Sequence, residues 1–190
     1  TIMATYNEII QAFSKRNTAP IYWLQGEEPY FIDQIVQYAE SNLLTESEAE
    51  FNRTVFYGRD ADWTAVINAC RKHPMFSTHQ LVILKEAQMM KDIAKLEPYI
   101  LQPLPSTIFI VAYKSKHPDK RTTLSKSIQK HAVLFDSVKI REDRIQQWIE
   151  ECVIAKGLKI EKKAVSMLAE HIGDDLSRIA GELEKLVITI

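Results

Sequence analysis

The residues best placed to do chemistry in this chain sit in one short turn, Gly26-Glu27-Glu28-Pro29-Tyr30, directly after an apolar run. A turn at that position in an α/β protein is the usual cradle for a nucleotide phosphate. It needs glycines, so that backbone N–H groups can approach the anion, and a lysine to offset its charge. This turn has one glycine, no lysine and two carboxylates. Glu27 and Glu28 suit the positive end of a helix dipole, and Pro29 suits the first helical position. The same two charges would repel a triphosphate, and Pro29 has no N–H to offer it. The turn is therefore expected to start a helix, with any nucleotide site at Gly26, Glu27, Glu28 and Pro29 degenerate. The acidic pair that would hold Mg²⁺ is also missing, because Leu84 is followed by Lys85-Glu86. Glu86 is expected to be a solvated loop charge.

Other routes to catalysis are no better supplied. His73, His79, His117, His131 and His171 have no metal-ligand spacing with one another or with cysteine, and no Gly-x-Ser-x-Gly element is present. Asp174-Asp175, like Glu27-Glu28, is expected to cap a helix. No cofactor or metal is indicated. Two patterns point to binding instead. Between Lys114 and Lys130 the chain carries Lys114, Lys116, Lys120, Arg121, Lys126 and Lys130 against Asp119. Such a run is either a contact for phosphate backbone, with Lys114, Lys116, Lys120 and Arg121 as the candidates, or a solvated face; no aromatic residue is interleaved for base stacking. The second pattern is Met75-Phe76, two large apolar residues in the polar connection His73 to Gln80. They either fold back into the core or wait for a partner.

The elements that must position these residues alternate in type. Apolar runs at Ile21–Leu24, Thr54–Tyr57, Leu81–Leu84, Thr107–Val111 and Ala132–Phe135 are expected to be strands buried on both faces. Helical stripes fall between them: Tyr6, Ile9, Ile10, Phe13; Phe31, Ile35, Tyr38, Ala39, Leu43; Trp63, Val66, Ile67, Cys70, capped by Asp62; Ile93, Leu96, Tyr99, Ile100; and Lys120 to Lys130. This predicts an α/β domain over residues 1–140, a five-stranded parallel sheet with helices on both faces. Beyond a boundary near Val138 to Glu142 only helical stripes remain, on Ile145, Trp148, Ile149, Cys152; on Val165, Leu168, Ala169, Ile172; and on Leu176 to Val187, with Gly157 and Gly173 at expected helix ends. Residues 141–190 are thus expected to form a small three-helix domain.

With 190 residues, 46% of them apolar and 26% charged, the chain has the composition of a globular protein, and its net charge of −1 does not by itself announce a nucleic-acid or membrane binder. No apolar run reaches the roughly 20 residues of a membrane span, and no signal peptide is visible, which predicts a cytoplasmic protein. Cys70 and Cys152 are expected as buried free thiols in a reducing compartment. Thr1-Ile2 precede Met3, which reads as the natural start, and the end at Leu186-Val187-Ile188-Thr189-Ile190 reads as an interruption of something longer.

Three stretches are together specific. Ile21 to Phe31 (IYWLQGEEPYF), Pro74 to Ile83 (PMFSTHQLVI), and Gly173 to Ile179 (GDDLSRI) followed by Glu182 to Leu186 resemble, in order and at compatible spacing, the bacterial DNA polymerase III delta subunit family. The pattern also resembles a degenerate AAA+ protein of P-loop NTPase type, with a nucleotide-type sheet and a three-helix lid. The resemblance implies a non-ATPase clamp-loader subunit that binds and helps open the ring-shaped sliding clamp for loading onto primed DNA. It implies no intrinsic catalysis but membership of the DNA polymerase III holoenzyme, a nucleotidyltransferase. The implied partners are the clamp (beta subunit), the ATPase and delta-prime subunits of the loader, and primed DNA within the complex, with no membrane. The implied clamp contact is Met75 and Phe76, framed by His73, Pro74, Ser77 and His79. The family often has Leu where this chain has Met75; methionine is similar in volume and adapts to an irregular pocket. Nothing in the chain matches the family's C-terminal collar domain. Arg178 falls where related motors keep a lid arginine that senses nucleotide; without a phosphate loop a salt-bridging role is expected. Two rival readings use the same fold: an ATP-binding motor or phosphotransferase, and a scaffold that binds DNA through the Lys114 to Lys130 face.

Overall fold

The computed structural model describes residues 2–189; Thr1 and Ile190, at the ends discussed above, lie outside them. The chain divides into two compact units, Thr1–Val138 and Lys139–Ile190.

The first unit is built on an all-parallel sheet. In chain order its elements are β1 (Ile2–Met3), α1 (Tyr6–Ser14), β2 (Ile21–Gly26), α2 (Pro29–Asn42), α3 (Glu46–Asn52), β3 (Arg53–Tyr57), α4 (Trp63–Cys70), β4 (Gln80–Lys85), α5 (Glu97–Leu101), β5 (Thr107–Lys114), α6 (Thr123–His131) and β6 (Val133–Asp136). The strand order is β1-β6-β2-β5-β4-β3. All five expected strands are present, but β3, at the edge of the sheet, is exposed or half-buried along its length rather than buried on both faces. The sixth, β1, adds two residues at the edge, pairing Ile2 with Val133 and Met3 with Leu134; it is too short to show a period in sequence.

Strands β2, β4 and β5 carry the continuous apolar runs Ile21–Leu24, Leu81–Leu84 and Ile108–Ala112 because both faces are covered there. Trp23, Val82, Leu84, Phe109 and Val111 face a core shared with Val66 and Cys70 of α4, Tyr99 and Ile100 of α5, and Leu124 and Ile128 of α6. Their neighbours Tyr22, Leu24, Leu81, Ile83, Ile108 and Ile110 point the other way, onto Ile9 and Phe13 of α1 and Ile32 and Ile35 of α2. The period of two along each strand thus builds two cores from one continuous run.

Two elements depart from the sequence reading. The helix expected over Ile93 to Ile100 is a 3₁₀ turn, Ile93–Leu96, followed by α5. Pro98 breaks it, since its ring would clash with the carbonyl of Ala94 and it has no N–H to donate. Helix α3 was not expected at all. It has no long apolar stripe, yet Thr45 and Glu48 form a reciprocal capping box at its start.

The second unit holds α7 (Glu142–Ala155), α8 (Lys162–Ile172) and α9 (Leu176–Thr189). Ile145, Ile149 and Val153 of α7, Val165 of α8, and Leu176, Ile179 and Leu183 of α9 are buried, while Leu186 at the end of the α9 stripe is exposed. Gly157 and Gly173 take positive φ at the ends of α7 and α8, as the termination pattern required. Both cysteines are free; Cys70 is buried, whereas Cys152 is half-buried. Among the described residues no helix is long and apolar enough to cross a membrane.

Candidate protein-binding site

Helix α4 ends at Cys70, and the nine residues before β4 form a tip. The end of α4 leaves carbonyls without helical partners. The buried Gln80 side chain reaches back to them: its Nε2 lies 2.9 Å from the Ala69 carbonyl oxygen and 2.5 Å from that of Lys72. Thr107 Oγ1 on β5 donates to the Cys70 carbonyl at 2.6 Å. The root of the tip is therefore fixed to the sheet by buried polar contacts.

Met75 and Phe76 occupy the outer bend. Met75 is 54% exposed and Phe76 92% exposed, the largest exposure of any large apolar side chain described. Phe76 has a φ of +56°, a left-handed conformation that a bulky residue adopts only when its surroundings impose it. The flanking backbone is held. Met75 N–H donates to Asn52 Oδ1 at 2.6 Å, and Asn52 Nδ2 donates to the Met75 carbonyl at 2.7 Å. The Ser77 hydroxyl lies against the Glu48 carboxylate and accepts from His79 N–H at 3.4 Å. The hydrogen bond from Ser77, followed by those from Thr45, holds the Glu48 carboxyl below the usual carboxylate range. His73 is exposed, Pro74, Ser77 and His79 are half-buried, and the Thr78 hydroxyl meets His79 Nδ1 at 3.0 Å. The tip thus presents an apolar pair to solvent on a backbone tied down from both sides. The residues that tie it, Asn52, Glu48 and Gln80, were not singled out from sequence. The Thr45-x-x-Glu48 capping signature was the available clue to α3.

The strand-end turn is packed shut. Gly26 has a φ of +122°, and a Cβ there would meet the Ser137 carbonyl oxygen at 2.3 Å. Gly26 N–H donates to the Lys116 carbonyl at 3.2 Å, and Glu28 N–H to the Ser137 carbonyl at 3.1 Å. Ser137 Oγ donates to the Glu28 carbonyl at 2.6 Å. Glu28 is buried and caps α2 by accepting from Tyr30 N–H at 3.0 Å, with Pro29 in the first turn; Glu27 is exposed. The Gly26, Glu28 and Tyr30 N–H groups of the turn are thus engaged within the protein.

Beside this turn, a crevice of about 300 Å³ at the carboxyl ends of β3, β4 and β5 is lined by charge. Lys114 Nζ lies 3.1 Å from Asp33 and 2.9 Å from Glu86, and Lys85 Nζ lies 2.5 Å from Glu40. The contact with Lys114 holds the Glu86 carboxyl below its usual value. Burial opposes the charge on Lys114, but Glu86 and Asp33 outweigh it and raise its pKa. Glu86 is thus an ion-pair partner rather than the solvated charge expected.

The basic run divides in the same way. Lys114 is only 20% exposed within its ion pairs. Arg121 is exposed but doubly bonded to Asp119, at 3.1 and 2.9 Å. Lys116, Lys120, Lys126 and Lys130 are exposed. Arg178, in the second unit, is exposed and its N–H donates to Asp175 Oδ1 at 3.0 Å. Among the described residues no group of three or more His, Cys, Asp or Glu is placed to hold a metal ion.

Comparison with known proteins adds a lineage to this geometry. The family model described as DNA polymerase III, delta subunit, matches residues 22–138. The DNA polymerase III subunit delta of Bacillus subtilis (strain 168) is 22% identical over 189 residues, a match that covers 94% of this chain and 54% of that protein. The chain therefore spans about half the length of the curated relative it matches. The solved structure of the Bacillus subtilis DNA clamp loader delta protein superposes with a TM-score of 0.75 at 22% identity, covering 95% of this chain and 56% of that one. Domain III of the Thermotoga maritima replication initiation protein DnaA shares the fold more distantly, with a TM-score of 0.53 at 12% identity over 97% of this chain and 82% of its own.

Proposed function

The chain belongs to the DNA polymerase III delta subunit family, and on that premise we propose that it is a clamp-loader subunit that binds the sliding clamp through Met75 and Phe76 and helps to open it. The observation that carries this reading is the 92% exposure of Phe76 on a backbone held by α3 and β4. A side chain so placed has no role in the core of the free protein and gains from burial in a partner. Burying a Met or Phe side chain contributes about 1.5–3 kcal/mol, and two such anchors in a pocket form a hot spot. His73, Pro74, Ser77 and His79 frame the pair. Opening follows if the tip and its surroundings bind the open ring better than the closed one, since a ligand shifts an equilibrium only by differential affinity.

The two compact units are read as the sheet domain and the lid of that subunit. The nucleotide-driven step is assigned to the loader's ATPase subunits, with delta-prime as a further partner. What supports this is the engagement of Gly26 and Glu28 N–H groups inside the protein, beside a proline that has none. Lys116 and Lys120, with Lys126 and Lys130, are read as the surface that approaches primed DNA within the complex; Lys114 and Arg121 contribute less, being paired. The assembly works in the cytoplasm.

The test is a Met75→Ala, Phe76→Ala double variant titrated against a purified bacterial sliding clamp. Affinity is expected to fall about a hundredfold or more, with the thermal midpoint unchanged because both side chains face solvent. Affinity equal to the parent protein would sink the reading.

A further inference from the structure

Phe76 stands between two residues that are each tied to α3. Met75, before it, is bonded through both its N–H and its carbonyl to the Asn52 carboxamide, at 2.6 and 2.7 Å. Ser77, after it, is bonded to the Glu48 carboxylate one turn earlier on the same helix. Asn52 is 3% exposed, and its remaining Nδ2 hydrogen donates to the Glu48 carbonyl at 2.9 Å. Oδ1 and Nδ2 together read the Met75 backbone as a neighbouring strand would, while leaving the Met75 side chain and the Phe76 ring free. Without these ties the bend would relax, since nothing in a phenylalanine favours a φ of +56°.

From this geometry we infer that Asn52 is the positioning residue of the tip: it fixes the Met75 backbone so that Phe76 is presented already in its binding pose. The inference rests on the clamp-binding reading above. Its physical content is preorganisation. Ordering a loop on binding subtracts from affinity, and a loop ordered during folding avoids that cost. Asn52 never needs to touch the partner. A residue that merely stabilised the end of α3 would change the thermal midpoint without its effect depending on Phe76.

The experiment compares Asn52→Ala, Asn52→Asp, Phe76→Ala and the Asn52→Ala, Phe76→Ala pair, each measured for affinity to a purified bacterial sliding clamp and for amide hydrogen exchange. Asn52→Ala is expected to weaken binding about tenfold, as loss of buried hydrogen bonds to one segment implies. Asn52→Asp keeps an acceptor for Met75 N–H but turns a carboxylate oxygen onto the Met75 and Glu48 carbonyls, and is expected to weaken binding at least as much as Asn52→Ala. In the Phe76→Ala background, Asn52→Ala is expected to change affinity by less than about twofold, the coupling expected of residues acting as one unit. In the free protein, Asn52→Ala is expected to speed exchange at the Met75 amide at least about tenfold while amides of Leu81 to Leu84 keep theirs. Equal losses of affinity in both backgrounds, or unchanged exchange at Met75, would overturn the inference. If Phe76→Ala alone binds like the parent, the clamp-binding reading fails; exchange at Met75 then decides the brace, faster exchange supporting it and unchanged exchange refuting it.

Discussion

Glu86 lies one residue beyond β4 with a φ of +53°, and its carboxylate meets Lys114 at 2.9 Å and the Gln88 amide at 2.7 Å. In sequence it is one charge in a loop, because nothing local reveals that Lys114, 28 positions later, ends beside it on β5. The pair is partly exposed, so its contribution is that of a surface ion pair, about 1 kcal/mol or less. The sign of its pH dependence follows from the depressed carboxyl. Its stabilisation is present above the ordinary value of 4.5 and is lost as pH falls through the lower folded value. The raised pKa of Lys114 places the opposite limit above the ordinary lysine value of 10.5. Glu86→Gln is therefore expected to lower the thermal midpoint slightly at neutral pH, and the gap to the parent protein is expected to close as pH falls below the ordinary carboxyl value of 4.5 and through the lower folded one. Thermal unfolding of both proteins across pH 3 to 7 checks this; a gap that does not depend on pH would assign the loss to packing instead.

At the scale of elements, the tip is a product of three neighbours. Helix α4 and strand β4 were legible from apolar periodicity, and the connection between them from the polar run His73 to Gln80. Helix α3 was not, because seven residues with a mixed face carry too little period, and only its capping box marks it. Gln80 looked like a polar residue before a strand. In the structure it is buried, with its amide among the carbonyls of Ala69, Cys70 and Lys72 and the Thr107 hydroxyl. Replacing it with leucine keeps the bulk but removes the side-chain donor to the Lys72 carbonyl and one of the donors to Ala69 and Cys70, which keep Lys72 N–H and the Thr107 hydroxyl. An unsatisfied buried polar group costs about 1–3 kcal/mol, so Gln80→Leu is expected to lower the thermal midpoint by several degrees. Calorimetry checks it, and a midpoint equal to that of the parent would show that the end of α4 is not held by Gln80.

For the molecule as a whole, the strand order sends the chain from β2 outward to β3 and later from β5 across to β6 on the other side of β2. Ligands of open α/β sheets usually bind at the carboxyl ends of strands where the order reverses. Here that place holds the Gly26 turn, closed by Ser137, and the crevice beside it is lined by the Lys114 and Lys85 ion pairs. Titration with ATP and Mg²⁺ is expected to give no saturable binding up to about 1 mM. Micromolar binding would overturn this reading of the Gly26 turn in favour of the rival ATP-binding motor. The sequence by itself determined the alternation of buried strands and amphipathic helices, the poverty of the Gly26 turn in phosphate-binding groups, and the two candidates for contact, Met75-Phe76 and the Lys114 to Lys130 run. These are local properties, set by side-chain period and by residue type at a single turn. Only the tertiary structure decided that Phe76 faces solvent, that Asn52 and Glu48 hold it there, and that Lys114 is neutralised while Lys116 and Lys120 are exposed. Each of these depends on which distant segments the parallel sheet brings together, and no period within one segment encodes its neighbour.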